Sequence, residues 1–225
     1  MRKWEDLPEF MKCDEVKEYY NILSRTKVSL ILKRRFDLVA GVGILVVTAI
    51  PMLVIGIKIA TESEGGVFYR QERVTTYGKK FKIHKFRTMV ANADQIGSAV
   101  TVSGDNRITP TGAFLRKYRL DELPQVFDIL SGNMSFVGTR PEVVKYVKKY
   151  KPEYFATLLL PAGITSEASI KYKDEAELLD AAEDVDEVYI TKVLPEKMKY
   201  NLSSIRKFSF LGEIATMIKT VFAVL

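Results

Sequence analysis

Cysteine and histidine are nearly absent from this chain, which has one of each, Cys13 and His84, in 225 residues. A lone cysteine excludes an internal disulfide framework and a cysteine-built zinc site, and it suits a reducing compartment. A lone histidine argues against catalytic dyads and triads built on imidazole, so His84 reads as a strand-surface residue. No Walker loop or dinucleotide fingerprint occurs, and no internal repeat or low-complexity tract is visible. The start does not read as a secretion signal, because Glu5, Asp6, Glu9, Asp14 and Glu15 fall where such a signal needs basic and apolar residues. What is present is a chain 47% hydrophobic and 28% charged, long enough for one core-bearing domain plus attached elements. Its net charge of +6 suits anionic lipid headgroups, a nucleotide diphosphate or nucleic acid, without choosing among them.

One apolar run stands out. Leu38 to Ile57 carries no charge, and roughly 20 such residues span a bilayer core as a helix. Lys33, Arg34 and Arg35 precede it and Lys58 follows, while Pro51 breaks the pattern because it lacks an amide hydrogen. Three arrangements fit: a kinked spanning helix, a buried core helix, or a helix that enters one leaflet, bends at Pro51 and returns. Basic residues on both flanks lean toward the last, since positive loops prefer the cytoplasm. Asp37 is spaced to pair with Lys33 and Arg34, at the headgroup level or as a plain surface ion pair.

Residues 1–32 read as a polar, helical accessory segment. Residues 62–66 form a turn that ends the membrane element. Residues 67–70 and 80–86 alternate as the arms of a β-hairpin, with Tyr77-Gly78-Lys79 turning between them. A stretch with Gly97, Ser98, Ser103 and Gly104 separates this hairpin from Arg107. Helices are expected from Pro110 to Tyr118 with Thr109 as cap, from near Pro124 to Ser131-Gly132, and from Pro141 to about Tyr150. Residues 174–183 and 186–200 look like further amphipathic helices, and residues 208–225 suit either the membrane interface or the core.

Chemistry concentrates between Arg107 and Glu142. Asp121 and Glu122 sit just before Leu123-Pro124, where a helix start offers free amides and positive potential. Adjacent acids point apart, so one can attack while the other holds a metal, although plain helix capping accounts for most such pairs. Close carboxylates raise each other's pKa unless a cation intervenes, and Arg116 and Arg119 are candidates for that charge. Arg140 offers a planar fork for two phosphate oxygens. Singly, each arginine reads as a solvated charge; their density beside a membrane segment favours function.

The strings KRRFD (33–37), HKFRTM (84–89), NRITPTGAFLRKYRLDELPQ (106–125) and SFVGTRPE (135–142) resemble those of bacterial sugar transferases. These are monotopic polyprenyl-phosphate phosphoglycosyl transferases that initiate capsule, exopolysaccharide and glycoprotein glycan assembly. The likeness covers about residues 30–225. It implies an α+β, mostly helical fold: a re-entrant membrane helix over residues 33–60, bent at Pro51, and a compact cytosolic catalytic domain over residues 61–225 with a small β-hairpin and interfacial helices. It implies that Asp121 attacks the sugar-linked phosphate of a UDP-sugar and expels UMP, and that polyprenyl phosphate then takes the phosphosugar. Glu122 would assist through Mg2+, and Arg116 and Arg140 match phosphate-holding positions. Lys85 and Arg87 support the nucleotide or the fold, and Arg119, Gln125, Pro141 and Glu142 complete the expected binding set. The implied place is the cytoplasmic face of the bacterial inner membrane, among lipids and without nucleic acid, with a homo-oligomer left open.

Two departures from the family pattern stand out. Ile50 precedes the proline where serine is frequent, and Pro161-Ala162-Gly163-Ile164-Thr165-Ser166-Glu167 replaces Pro-Gly-Ile-Thr-Gly. Two other classes of function compete: an inactive membrane adaptor, opposed by the intact acids and arginines, and a basic nucleic-acid module, opposed by lysines interspersed with acids.

Overall fold

The apolar run becomes the longest helix of the molecule. The computed structural model describes residues 1–93, 105–173 and 184–224. Helix α1, Asp14–Arg25, leads into α2, Lys27–Glu62, whose helical assignment continues through Pro51. Proline leaves the Val47 carbonyl without its usual amide partner. Nearby, the Thr48 hydroxyl donates back to the Ile44 carbonyl at 2.7 Å, a bond of the kind that bends helices.

Both flanks of the run touch the body of the protein. Lys33, Asp37 and Gly41 are buried on one side, Met52 and Ile59 on the other, and no residue from 42 to 51 is buried. At the first flank, the Lys33 ammonium pairs with Glu213 and donates to the Val137 carbonyl at 2.6 Å. Arg34 donates to the carbonyls of Ile129 and Leu130 at 2.7 and 3.2 Å. Asp37 accepts the Phe136 amide at 3.2 Å. The expected pairing of Asp37 with Lys33 and Arg34 is therefore replaced. This stretch is packed rather than solvated, and a buried polar group must find a well-placed partner.

The expected hairpin is present in two sections. β1 (Phe68–Tyr69) pairs antiparallel with β4 (Lys85–Phe86), and β2 (Glu72–Val74) pairs with β3 (Lys80–Lys82). Tyr77 and Gly78 both take positive φ at its tip. Helix α3 (Pro110–Lys117) starts as expected, the Thr109 hydroxyl accepting the Gly112 amide at 3.0 Å. Helix α4 (Gln125–Leu130) ends before Gly132, which takes φ +80°. The helix expected from Pro141 shrinks to α5, Val144–Val147. Its first residues pair sideways instead: the Pro141 carbonyl accepts from Arg73 at 3.0 Å, and the Glu142 carbonyl from the Val74 amide at 3.0 Å.

A parallel pair, β5 (Met134–Val137) with β6 (Ala162–Thr165), was not expected. Just past β5, Gly138 crosses Gly163 of β6 so closely that a Cβ on Gly163 would strike the Gly138 backbone, and one on Gly138 the Pro161 carbonyl. After α6 (Glu167–Lys171), α7 (Val185–Val188) passes through a π-helical turn, Tyr189–Val193, into α8 (Leu194–Arg206). Helix α9 (Phe210–Val224) closes the chain. The stretch around Gly97–Gly104 and the helix expected over 174–183 lie outside the described residues.

Three apolar clusters hold these elements together. The largest joins Val16, Tyr19 and Leu23 of α1 to Tyr154, Leu159, Met198 and Leu202, so the polar-looking start of the chain is built into the body. A second packs Phe81 and Ile83 on Ile129, Met134 and Phe136. The third brings Met52 and Ile59 of α2 onto Phe86 and Leu115. Helix α9 meets both readings of its sequence: Phe210 packs edge-on against Phe36, while Leu211 and Phe222 are more than three-quarters exposed.

Candidate active site

Asp121 and Glu122 share one 3-10 turn, Leu120–Glu122, between α3 and α4. Arg119 precedes it in the left-handed region at φ 56°, ψ 20°, a conformation costing a residue with a side chain about 1 kcal/mol. That reversal ends α3 and carries the two acids to the hairpin, where β4 supplies Lys85.

Glu122 is enclosed by cations. The Lys85 ammonium donates to its Oε1 at 2.7 Å, and Arg140 Nη2 donates to the same oxygen at 2.5 Å. Arg140 Nη1 lies 3.4 Å from Oε2. Burial penalises the Glu122 charge, yet Arg140 and Lys85 outweigh that penalty and hold its carboxyl well below the ordinary carboxylate range. Asp121 behaves oppositely. Burial pushes its carboxyl up and Glu122 adds to the rise, while Lys85, Arg116 and Arg140 pull it back. Neighbouring acids are thus driven apart, one a fixed anion and the other less firmly ionised.

Both acids face a cleft of about 680 Å³ that is also lined by Arg73, Lys85, Arg116 and Arg140. Arg116 donates through Nε to the Thr88 hydroxyl at 2.9 Å, which orients its fork. Arg73, unremarked in the sequence, ties β2 to the loop behind Arg140 through the Pro141 carbonyl, and its Nη2 donates to Gln71 at 2.5 Å. Arg107 is held by Asp105 at 2.6 Å, and its side-chain hydrogen bonds draw the Asp105 carboxyl down to about 2. Both arginines line the same cleft.

Other expected binding residues take different places. Arg87 also lines the cleft, but it donates to the carbonyls of Ile59 at 3.3 Å, Ser63 at 2.7 Å, and Glu64, fastening the end of α2. Arg119 lines the cleft as well, exposed at its edge, and reaches the Lys173 carbonyl at 3.4 Å. Gln125 is buried at the start of α4, its amide atoms without a hydrogen-bond partner among the described residues. Glu142 is buried too, accepting the Tyr189 hydroxyl at 2.6 Å with Lys197 at 3.9 Å.

His84 is no plain surface residue. Its ring Nδ1 lies 2.8 Å from Asp128 Oδ1, and its backbone amide donates to Asp128 Oδ2 at 2.8 Å. The available signal was an acid inside the apolar stretch Val126-Phe127-Asp128-Ile129, since a buried carboxylate demands a partner. Among the described residues no three metal-ligating side chains gather into a cage. Two adjacent carboxylates beside a basic cleft do fit magnesium, which takes one or two protein oxygens and completes its shell with phosphate and water.

A family model described as bacterial sugar transferase matches residues 28–225. A UDP-N-acetylgalactosamine-undecaprenyl-phosphate N-acetylgalactosaminephosphotransferase of Aeromonas hydrophila is 32% identical over 197 residues, 86% of this chain and 44% of that protein. A putative undecaprenyl-phosphate N-acetylgalactosaminyl 1-phosphate transferase of Bacillus subtilis is 39% identical over 136 residues, 60% of this chain and 75% of that protein. A UDP-glucose:undecaprenyl-phosphate glucose-1-phosphate transferase of Klebsiella pneumoniae is 33% identical over 201 residues, 87% of this chain and 40% of that protein. The chain therefore spans less than half the length of the Aeromonas and Klebsiella proteins.

Proposed function

Because the chain belongs to the bacterial sugar transferase family, we propose that it moves a sugar 1-phosphate from a UDP-sugar to polyprenyl phosphate on the cytoplasmic face of the inner membrane. The observation that carries this reading is the split acid pair at the mouth of a basic cleft. A carboxylate locked to Lys85 and Arg140 cannot readily attack, whereas Asp121 sits beside the same cations without being enclosed by them.

The chemistry divides into two displacements. An Asp121 carboxylate oxygen attacks the sugar-bearing phosphorus, the bond from that phosphorus to the bridging oxygen breaks, and UMP departs with its electron pair. A polyprenyl-phosphate oxygen then attacks the same phosphorus, and Asp121 leaves as the carboxylate. Arg116 and Arg140 bind phosphate oxygens through planar forks, and Lys85 offsets charge at both acids. Glu122, with help from Asp121, would hold magnesium, which would shield the phosphate charge.

The re-entrant arrangement gains support from the two flanks of α2. Lys33–Gly41 and Met52–Ile59 pack on one body, and the exposed apolar stretch lies between them. A helix crossing the bilayer would carry its second flank to the far side, away from that body. Relatives act, by their names, on N-acetylgalactosamine or glucose donors, so the sugar is left unassigned.

The test is UMP release from a panel of UDP-sugars by detergent-solubilised protein with magnesium and polyprenyl phosphate. Release with one donor, abolished by Asp121→Asn, is the expected result. Undiminished release in Asp121→Asn would overturn the assigned nucleophile.

A further inference from the structure

Lys85 reaches the acids from one face of a two-residue strand, and His84, its neighbour, faces the other way. The strand is paired with β1 and flanked by the buried side chains of Ile83 and Phe86, and the Lys85–Glu122 contact adds a tether on one face. A second tether lies on the opposite face. Asp128, fully buried on α4, receives both the backbone amide and ring Nδ1 of His84, each at 2.8 Å. The ring is further held edge-on by Phe68 and Phe127, with centroids 6.3 and 5.9 Å away. Asp128 belongs to the helix that begins directly after Asp121 and Glu122. The strand bearing the lysine and the unit bearing both acids are therefore clamped on two sides of the strand.

We propose that His84 and Asp128 are a positioning pair that holds Lys85 at the catalytic acids, resting on the functional reading above for its effect on turnover. With Nδ1–H given to Asp128, ring Nε2 is turned away from that bond, and the pair acts through the strand rather than on substrate. Only the Nδ1 donor is required. Asparagine can present an amide N–H at nearly the same distance from the backbone, whereas leucine fills the space and donates nothing.

The experiment compares His84→Asn and His84→Leu, at a residue one-quarter exposed and so tolerant of exchange. Amine acylation of Lys85, read by peptide mass spectrometry, reports its position whether or not the protein transfers sugar. Lys85 is expected to be protected in the wild type and in His84→Asn, and to label about tenfold faster in His84→Leu under conditions where all three remain fully folded. In turnover, kcat should fall about tenfold in His84→Leu with KM for the nucleotide sugar within about twofold, and His84→Asn should restore it. Equal losses in the two variants, or protection of Lys85 in both, would overturn the proposal. Inactivity of the wild type with every donor would instead count against the functional reading, and the labelling would still decide the positioning.

Discussion

At the scale of single residues, Glu122 is the shared counter-ion of two partly buried cations. Glu122→Gln leaves Lys85 and Arg140 with Asp121 as their remaining nearby anion, and it should lower stability by about 1–2 kcal/mol, measurable by urea denaturation. Asp121→Asn removes a charge that burial already disfavours, so its unfolding midpoint should match or exceed that of the wild type while turnover disappears. A large drop in stability for that variant would contradict the split between the two acids. The acids and their arginines were legible in the sequence because they lie within one local run, with turn and cap signals around them. Lys85 became legible as a site residue only through family resemblance, Arg73 gave no local signal, and the His84–Asp128 pair left only an acid inside an apolar stretch. His84 and Asp128 are 44 positions apart, and a hydrogen bond between distant segments leaves no spacing pattern.

Elements differed in how plainly they announced themselves. Helices α2, α3 and α4 and the hairpin followed from hydropathy, capping residues and alternation. The β5–β6 pair did not, because Met134–Val137 is buried on both faces and shows no alternation to read. Its close glycine crossing gives a sharp expectation: Gly163→Ala puts a methyl into the Gly138 backbone and should cost about 2 kcal/mol or more, read as a lowered midpoint or loss of folded protein. In α2, the family's serine before proline is absent, and Thr48 supplies a hydroxyl one turn earlier. In a Cys13→Ser background, Arg35→Cys and Lys58→Cys should both label from the cytoplasmic side only. Adding Thr48→Val with Pro51→Ala should move one of them out of reach. Unaltered labelling would mean that packing of the two flanks, rather than Pro51 and Thr48, sets the path.

Over the whole molecule, the N-terminal segment carries structural weight that its polar composition hides. Leu7, Met11, Val16, Tyr19 and Leu23 are almost completely buried. At roughly 2 kcal/mol each they contribute on the order of 10 kcal/mol, comparable with the entire stability of a domain. Deleting residues 1–25 should therefore abolish cooperative unfolding rather than merely trim an appendage, as circular dichroism during a thermal scan would record. The body closes by a different contact. Lys33, at the entrance to the apolar run, finds its carboxylate at Glu213, 180 positions later. A ribosome adding about 5–20 residues per second makes that lysine wait on the order of ten seconds for its partner. The apolar run emerges at the start of that interval, with Lys33 still hydrated. Docking of α9 is then what takes the lysine out of water, so a nascent chain stalled short of Glu213 is left with an unfinished seam along α2.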